Sequence, residues 1–289
     1  MSTRRSAQAA KSGSRESPAK KTGVLRRNAA VRDRHLLYEQ SVQCPEADVK
    51  FFDRVYRKLH GRVPHTLRED FCGTAALAAE WVRARKENVA YGVDLHRPTL
   101  EWGRRHNIAP LGAAAERVHL LEENVLDVTR PKVDMVAALN FSYFIFKQRS
   151  LLKRYFQTVR TSLRPGGVFV LDIFGGSECQ SLDTETKQLQ GFKYHWDQAT
   201  YNPITNDTLY HIHFSFPDGT WMRRAFTYDW RMWTPREIME LLEEAGFEDP
   251  VLYWEGADDD GSGNGVFRPA VKREPEAGWI AYITATRPA

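Results

Sequence analysis

Cysteine is scarce. Cys44, Cys72 and Cys179 are the only three in 289 residues, too few and too scattered for a disulfide scaffold or a four-ligand zinc site. Their number suits a reducing compartment. No run approaches 18 consecutive apolar residues, which excludes a membrane-spanning helix. The N-terminus lacks the apolar stretch of a secretory signal, so a cytoplasmic protein without membrane contact is expected. Acid is almost missing from residues 1–28, where eight Lys and Arg face the single Glu16. That segment carries +7 of a total of +4, so the remaining chain is mildly acidic at −3. What is present is ordinary globular material: 42% hydrophobic and 12% aromatic residues argue against global disorder.

The basic tail, 1–28, holds Pro18 and one aliphatic pair, Val24-Leu25. It cannot bury enough surface to offset the entropy of ordering, and disorder is expected. An amphipathic face for a transit peptide is missing. Weak non-specific nucleic-acid contact is the functional alternative, since cations near phosphates release counterions. Residues 29–64 read as a helical cap. Within them 45–60 put Val49, Phe52, Val55, Tyr56 and Leu59 on one helical face behind Pro45.

Residues 65–289 read as one α/β domain. Short apolar strands at 65–70, 89–94, 118–122, 133–139 and 167–173 alternate with amphipathic helices at 74–86, 99–108 and 151–163. Such alternation implies a doubly wound, mostly parallel sheet covered on both faces. An insertion at 177–232 differs in texture. Alternating runs around Pro217-Asp218-Gly219 predict an antiparallel β-hairpin. A helix follows from Thr234-Pro235 to Gly246, then strands at 251–254 and 279–284. The Gly/Asp-rich stretch 256–278 between them reads as a flexible loop and a candidate lid. Asp258-Asp259-Asp260 within it starts like a calcium loop, but position 12 is Pro269 rather than Glu.

Chemistry concentrates at the first turn, Glu69-Asp70-Phe71-Cys72-Gly73-Thr74-Ala75, where a strand runs through small residues into a helix. Such a turn lets a ligand approach the backbone, and the helix start adds free N–H donors. Asp94 ends the next strand, where a carboxylate can accept from both ribose hydroxyls. A pyrophosphate needs G-x-G-x-x-G, whereas Phe71 and Ala75 stand in two glycine places and Glu69 and Asp70 would repel phosphate. A cationic, phosphate-free adenosine ligand such as S-adenosyl-L-methionine fits these acids better.

From Leu67 to Gly176 the sequence resembles the class I S-adenosylmethionine-dependent methyltransferases, with a Rossmann-like fold. The first turn is similar to their acid-apolar-Gly-Cys-Gly-Thr-Gly motif, and Gly-Val-Asp94-Leu95 to their ribose-binding strand end. Asn124-Val125 lies where the family contacts adenine, Asn140-Phe141-Ser142-Tyr143 follows strand four, and Leu163 to Asp172 resembles the turn into strand five. The resemblance covers most of 60–286. It implies cofactor contacts from Glu69, Asp70, Cys72, Gly73, Thr74, Asp94, Leu95, Asn124, Val125 and Asn140. Asn124 replaces an Asp, but it can still accept from an amino group and donate to a ring nitrogen.

The expected activity is methyl transfer to an N or O nucleophile of a small molecule. Alternatives are RNA or protein methylation guided by the tail, and a binding module without turnover. Positioning is the main demand of the reaction. Asn140 or Tyr143 is the candidate to face the methyl group, and His195 a candidate base. Cys72 reads as a buried filler rather than a nucleophile. His211 and His213 share one strand face and predict a cross-strand role. Six of eight tryptophans lie after residue 195, and a subset could line a pocket for a cationic or aromatic acceptor.

Overall fold

Residues 32–258 and 263–289 are described by a computed structural model. The tail 1–28 and residues 259–262, with part of the calcium-like loop, lie outside the described residues. Asp33 opens α1 (Arg34–Val42) by accepting from the His35 and Leu36 backbone N–H groups. Next, α2 (Pro45–His60) begins at its proline and stops at Gly61, φ 69°. Its bounds are those expected from the sequence.

The α/β alternation follows as β1 (Thr66–Asp70), α3 (Ala76–Ala84), β2 (Val89–Asp94), α4 (Arg97–Gly103), β3 (Val118–Glu122), β4 (Val133–Ala138), α5 (Arg149–Ser162) and β5 (Leu163–Gly175). After β5 come β6 (Thr184–Leu189), β7 (Phe192–Tyr201), β8 (Asp207–Ser215) and β9 (Trp221–Arg231). The chain closes with α6 (Pro235–Glu244), β10 (Glu248–Ala257), β11 (Gly263–Pro269) and β12 (Trp279–Thr286). A capping box between Thr234 and Glu237 sets the start of α6.

The main sheet has the order β11-β10-β12-β5-β4-β1-β2-β3. Strands β1 to β5 are mutually parallel, and β12 is antiparallel to both β5 and β10. The order reverses between β1 and β4. A crevice opens at such a switch point beside the carboxyl ends of the strands. Apolar burial fixes the layers. Phe156 of α5 and Phe169 of β5 are both fully buried with rings 5.7 Å apart, each burial worth about 1.5–3 kcal/mol. On the other face Trp81 of α3 packs against Phe52 of α2.

Two expectations are corrected. The hairpin insertion is a four-stranded antiparallel sheet, β6-β7-β8-β9; the Asp218-Gly219 turn joins only its last two strands. The polar Thr184–Leu189 segment gives little apolar signal, and it pairs because β7 leaves its edge open. Likewise 256–278 is not a plain loop, since β11 lies within it and pairs antiparallel with β10.

Candidate functional site

The crevice is built by three strand ends. Leaving β1, the chain takes a left-handed conformation at Phe71, Gly73 and Ala75, with φ of 56°, 52° and 58°. These are the positions where the motif carries glycine. Here the backbone keeps the glycine-type conformation although two side chains oppose it, at about 1–2 kcal/mol each. The Phe71 ring escapes the crevice by packing 5.7 Å from Tyr155 and 5.9 Å from Phe146.

Asp94 at the end of β2 turns towards this loop. Its Oδ2 accepts from Gly73 N–H at 2.8 Å and its Oδ1 from His96 N–H at 2.8 Å. Half-buried and holding spare lone pairs on both oxygens, it can accept more donors. Cys72 ties the same strands, its N–H donating to Val93 O at 3.0 Å. Its Sγ occupies the space where a Cβ on Gly92 would sit, 2.8 Å away. Burial pushes its thiol well above the usual range; it is an inert wedge.

Strand alternation separates the adjacent acids. Glu69 faces α3, accepts from Ala78 N–H at 3.1 Å and is 5% exposed. Burial raises its carboxyl well above the ordinary range, with nearby Asp48, Asp94 and Asp70 adding to the rise. Asp70 faces α5 and is held by Arg68 (2.8 Å) and by the Tyr155 hydroxyl (2.8 Å). The expectation that Asp70 contacts a cofactor is therefore corrected: its carboxylate neutralises the fully buried Arg68.

Thr74 donates to Glu39 of α1 at 2.5 Å, and Asn107 donates to the same Glu39 oxygen at 2.7 Å. Helix α1 thus brings a third acid to the turn, a residue that no sequence pattern had marked. Leu95 stands 65% exposed beside Asp94, an apolar surface at the crevice rim. Asn124 is half-buried in a turn closed by its own Oδ1 on Leu126 N–H (3.0 Å), with Val125 buried behind it.

At the end of β4, Asn140 and Phe141 are both left-handed, φ 56° and 58°. Both N–H groups donate to the buried Asp172 carboxylate at 2.9 Å. In the sequence Asp172 is simply part of a strand, yet an acid inside Val-Phe-Val-Leu-Asp-Ile-Phe is the available signal. Tyr143 is fully buried and donates to Asp172 O at 3.0 Å. It does not line the crevice, and the expectation that it faces the methyl group is corrected. His195 lies on the face of β7 opposite Tyr194 and Trp196, bonded to Thr186 Oγ1 (2.9 Å) and Ser215 Oγ (2.8 Å) and stacked on Trp221. As a base it is on the wrong side of its sheet. His213 meets Asp197 across strands at 3.3 Å.

The crevice is thus rich in acids and in backbone donors. Glu39, Glu69 and Asp94 surround a turn without phosphate-type spacing, a set of acceptors suited to a nucleoside cation. No protein-family model matches the sequence, nor does any curated protein. Solved structures do match. An S-adenosylmethionine-dependent methyltransferase from Clostridium acetobutylicum superposes with a TM-score of 0.63 at 17% identity, covering 88% of this chain and 98% of that one. CalS10 from Micromonospora echinaspora, an amino pentose methyltransferase, gives 0.63 at 15% identity over 91% and 100%. The sugar N-methyltransferase KedS8 from Streptoalloteichus gives 0.60 at 17% over 94% and 99%. The chain has the Rossmann-like fold of these S-adenosylmethionine-dependent methyltransferases.

Proposed function

We propose that the protein is an S-adenosyl-L-methionine-dependent methyltransferase acting on an N or O nucleophile of a small molecule. The observation that carries this reading is the Asp94 carboxylate on the Gly73 N–H, beside three consecutive odd positions in left-handed backbone. The printed names of the similar structures, sugar and amino pentose methyltransferases, support an amine on a small acceptor.

When bound, S-adenosyl-L-methionine supplies a methyl group already activated on a sulfonium. Asp94 would take the ribose hydroxyls, and Glu69 an ammonium in its ionised form. Leu95 and the Asn124-Val125 turn would hold adenine, while Cys72, Gly73 and Thr74 supply the loop. Asn140, on the turn clamped by Asp172, would border the reacting groups. Asp70, Tyr143 and His195 have no part in this proposal. The antiparallel sheet shields the crevice from water, which would otherwise solvate the nucleophile.

Isothermal titration with S-adenosyl-L-methionine tests the reading. Saturable heat at micromolar ligand is expected; folded protein giving none at high micromolar ligand would reject it. Removing residues 1–28 should leave transfer to a small molecule unchanged, whereas a nucleic-acid enzyme would lose affinity and salt sensitivity.

A further inference from the structure

A cavity of about 610 Å³ opens beside β10 and β11. Strand β10 is three strands from β4 in the main sheet, about 14 Å at the usual spacing, so this cavity is separate from the crevice. Its floor is the edge pair of the sheet. Trp254 stands directly across from Arg268 there, and both side chains share one face. Its wall is the connection from β11 to β12. That connection is pinned at Ala270, whose N–H donates to Leu252 O at 3.0 Å, and at Ala277, whose carbonyl accepts from Glu178 N–H at 2.9 Å. Between the pins Arg273 turns back to the strands: it donates to Glu255 O at 3.3 Å and its guanidinium lies 5.6 Å from the Trp254 ring. A second cavity of about 550 Å³ shares Trp254 and Arg273 with the first.

Among the described residues, the charged groups lining the first cavity are Arg268, Lys272 and Arg273, all cations. The nearby acids go elsewhere. Glu255 follows Trp254 along the strand and so takes the opposite face, where it accepts from Gly265 N–H at 2.8 Å. Glu274 and Glu276 line the second cavity. Asn264 also lines the first; its Oδ1 accepts from Val266 N–H at 3.0 Å, and its amide nitrogen can only donate. The amide lies over β10 where Gly256 has no side chain, since a Cβ there would be 2.9 Å from Asn264 Oδ1. Val266 and Val271, both exposed, put aliphatic surface at the rim.

We propose that the first cavity is a second ligand site, apart from the cofactor crevice, and that it takes a small organic anion. The carboxylate or phosphate of such a molecule would bind Arg268, Lys272 and Arg273, with the Asn264 amide as a further donor. Its apolar body would lie on Val266, Ala270 and Trp254. The volume suits this use, since small-ligand sites commonly enclose about 300–1,000 Å³. A cationic ligand would meet three like charges, and a neutral one would gain no charge-assisted hydrogen bond. Binding here is independent of the methyltransferase reading.

The test titrates full-length protein with phenyl phosphate, benzoate and benzyl alcohol, probes that share a ring and differ in the polar group. Saturable heat with a Kd of about 1 mM or tighter is expected for at least one anion and not for the alcohol. Phenyl phosphate binding alone assigns a phosphate-bearing ligand, whereas benzoate binding assigns a carboxylate. Arg268→Ala and Lys272→Ala, at exposed positions, should each weaken the anion about fivefold with the unfolding midpoint unchanged. Lys58→Ala, an exposed cation on α2, should leave it unchanged. An equal loss in Lys58→Ala would reduce the effect to general charge attraction and overturn the proposal. So would no saturable heat from either anion, alcohol binding as tight as theirs, or displacement of the probe by S-adenosyl-L-methionine. Asp259 and Asp260 lie outside the described residues; binding seen only after Asp259→Asn and Asp260→Asn would mean that the chain's own acids fill the site, which also overturns it.

Discussion

On the α3 face of β1, Glu69 is buried with one backbone donor and surrounded by other acids. On the α5 face, one residue along, Asp70 is equally buried but clamped by Arg68 and Tyr155. Two carboxylates of one strand thus differ in what remains for a ligand. Asp70 is consumed by the fold, because the Arg68 guanidinium beneath α5 would otherwise be an isolated charge. Glu69 is left with an unsatisfied preference for a cation. A buried acid marks a binding site only when its own protein has not already neutralised it.

Substitutions can break this contrast. The largest effect is expected for Asp70→Ala, which strands Arg68 in the core and should cost about 3–5 kcal/mol in urea denaturation. A loss below 1 kcal/mol would mean that the pair matters little. Asp94→Ala should lower stability by about 1.5–3 kcal/mol, because the Gly73 and His96 N–H groups lose their carboxylate, and should weaken S-adenosyl-L-methionine about 100-fold by titration calorimetry, since each charge-assisted hydrogen bond is worth about 1.5–3 kcal/mol. Unchanged affinity would refute the ribose role.

Glu69→Gln should act through pH. The folded-state pKa of Glu69 is raised, so native protein holds a proton that unfolded chain releases. Its contribution to stability is complete below the unfolded carboxylate pKa and is lost as pH rises through the raised folded value. In its proposed role as partner of the cofactor ammonium, Glu69 would bind in its ionised form, so wild-type affinity should climb across the same window with release of a proton. Glu69→Gln should flatten both profiles; a variant that keeps the wild-type slope would assign it to another group. The smallest effect belongs to Ala75→Gly. Relief of the left-handed alanine, about 1–2 kcal/mol, is offset by glycine entropy, about 0.5–1 kcal/mol, and by the lost buried methyl, about 0.8 kcal/mol. The net should lie within about 0.5 kcal/mol of zero by thermal unfolding. By contrast, Ala79→Gly inside α3 lacks that relief and should lose more than 1 kcal/mol.

Much of the parallel half was legible in the residues. Helix α2 and strands β2 and β3 keep the bounds that their periodicity predicts, because an apolar period and a cap or turn residue coincide there. The four-stranded sheet was half legible. Its central strands alternate strongly, whereas β6, like β11 at the edge of the main sheet, is a short edge strand with few apolar residues, and each pairs only with the strand next to it in sequence. At the site, the turn and Asp94 could be picked out from their order along the chain. Tyr143 and His195 were misassigned because residue type carries no direction: one hydroxyl turns to Asp172 O and one imidazole to the outer face. Glu39 carried no signal, since α1 meets the crevice only through the tertiary fold.

Local pattern was enough to settle the α/β alternation, the acid-rich first turn and the carboxylate one strand over, since strand period, helix start and turn chemistry act within a few residues. Packing settled the rest. Which of two adjacent acids is neutralised, which further acid reaches the first turn and which turn is held left-handed by Asp172 all depend on groups dozens of positions apart, whose burial leaves each polar atom only the partner that the fold delivers.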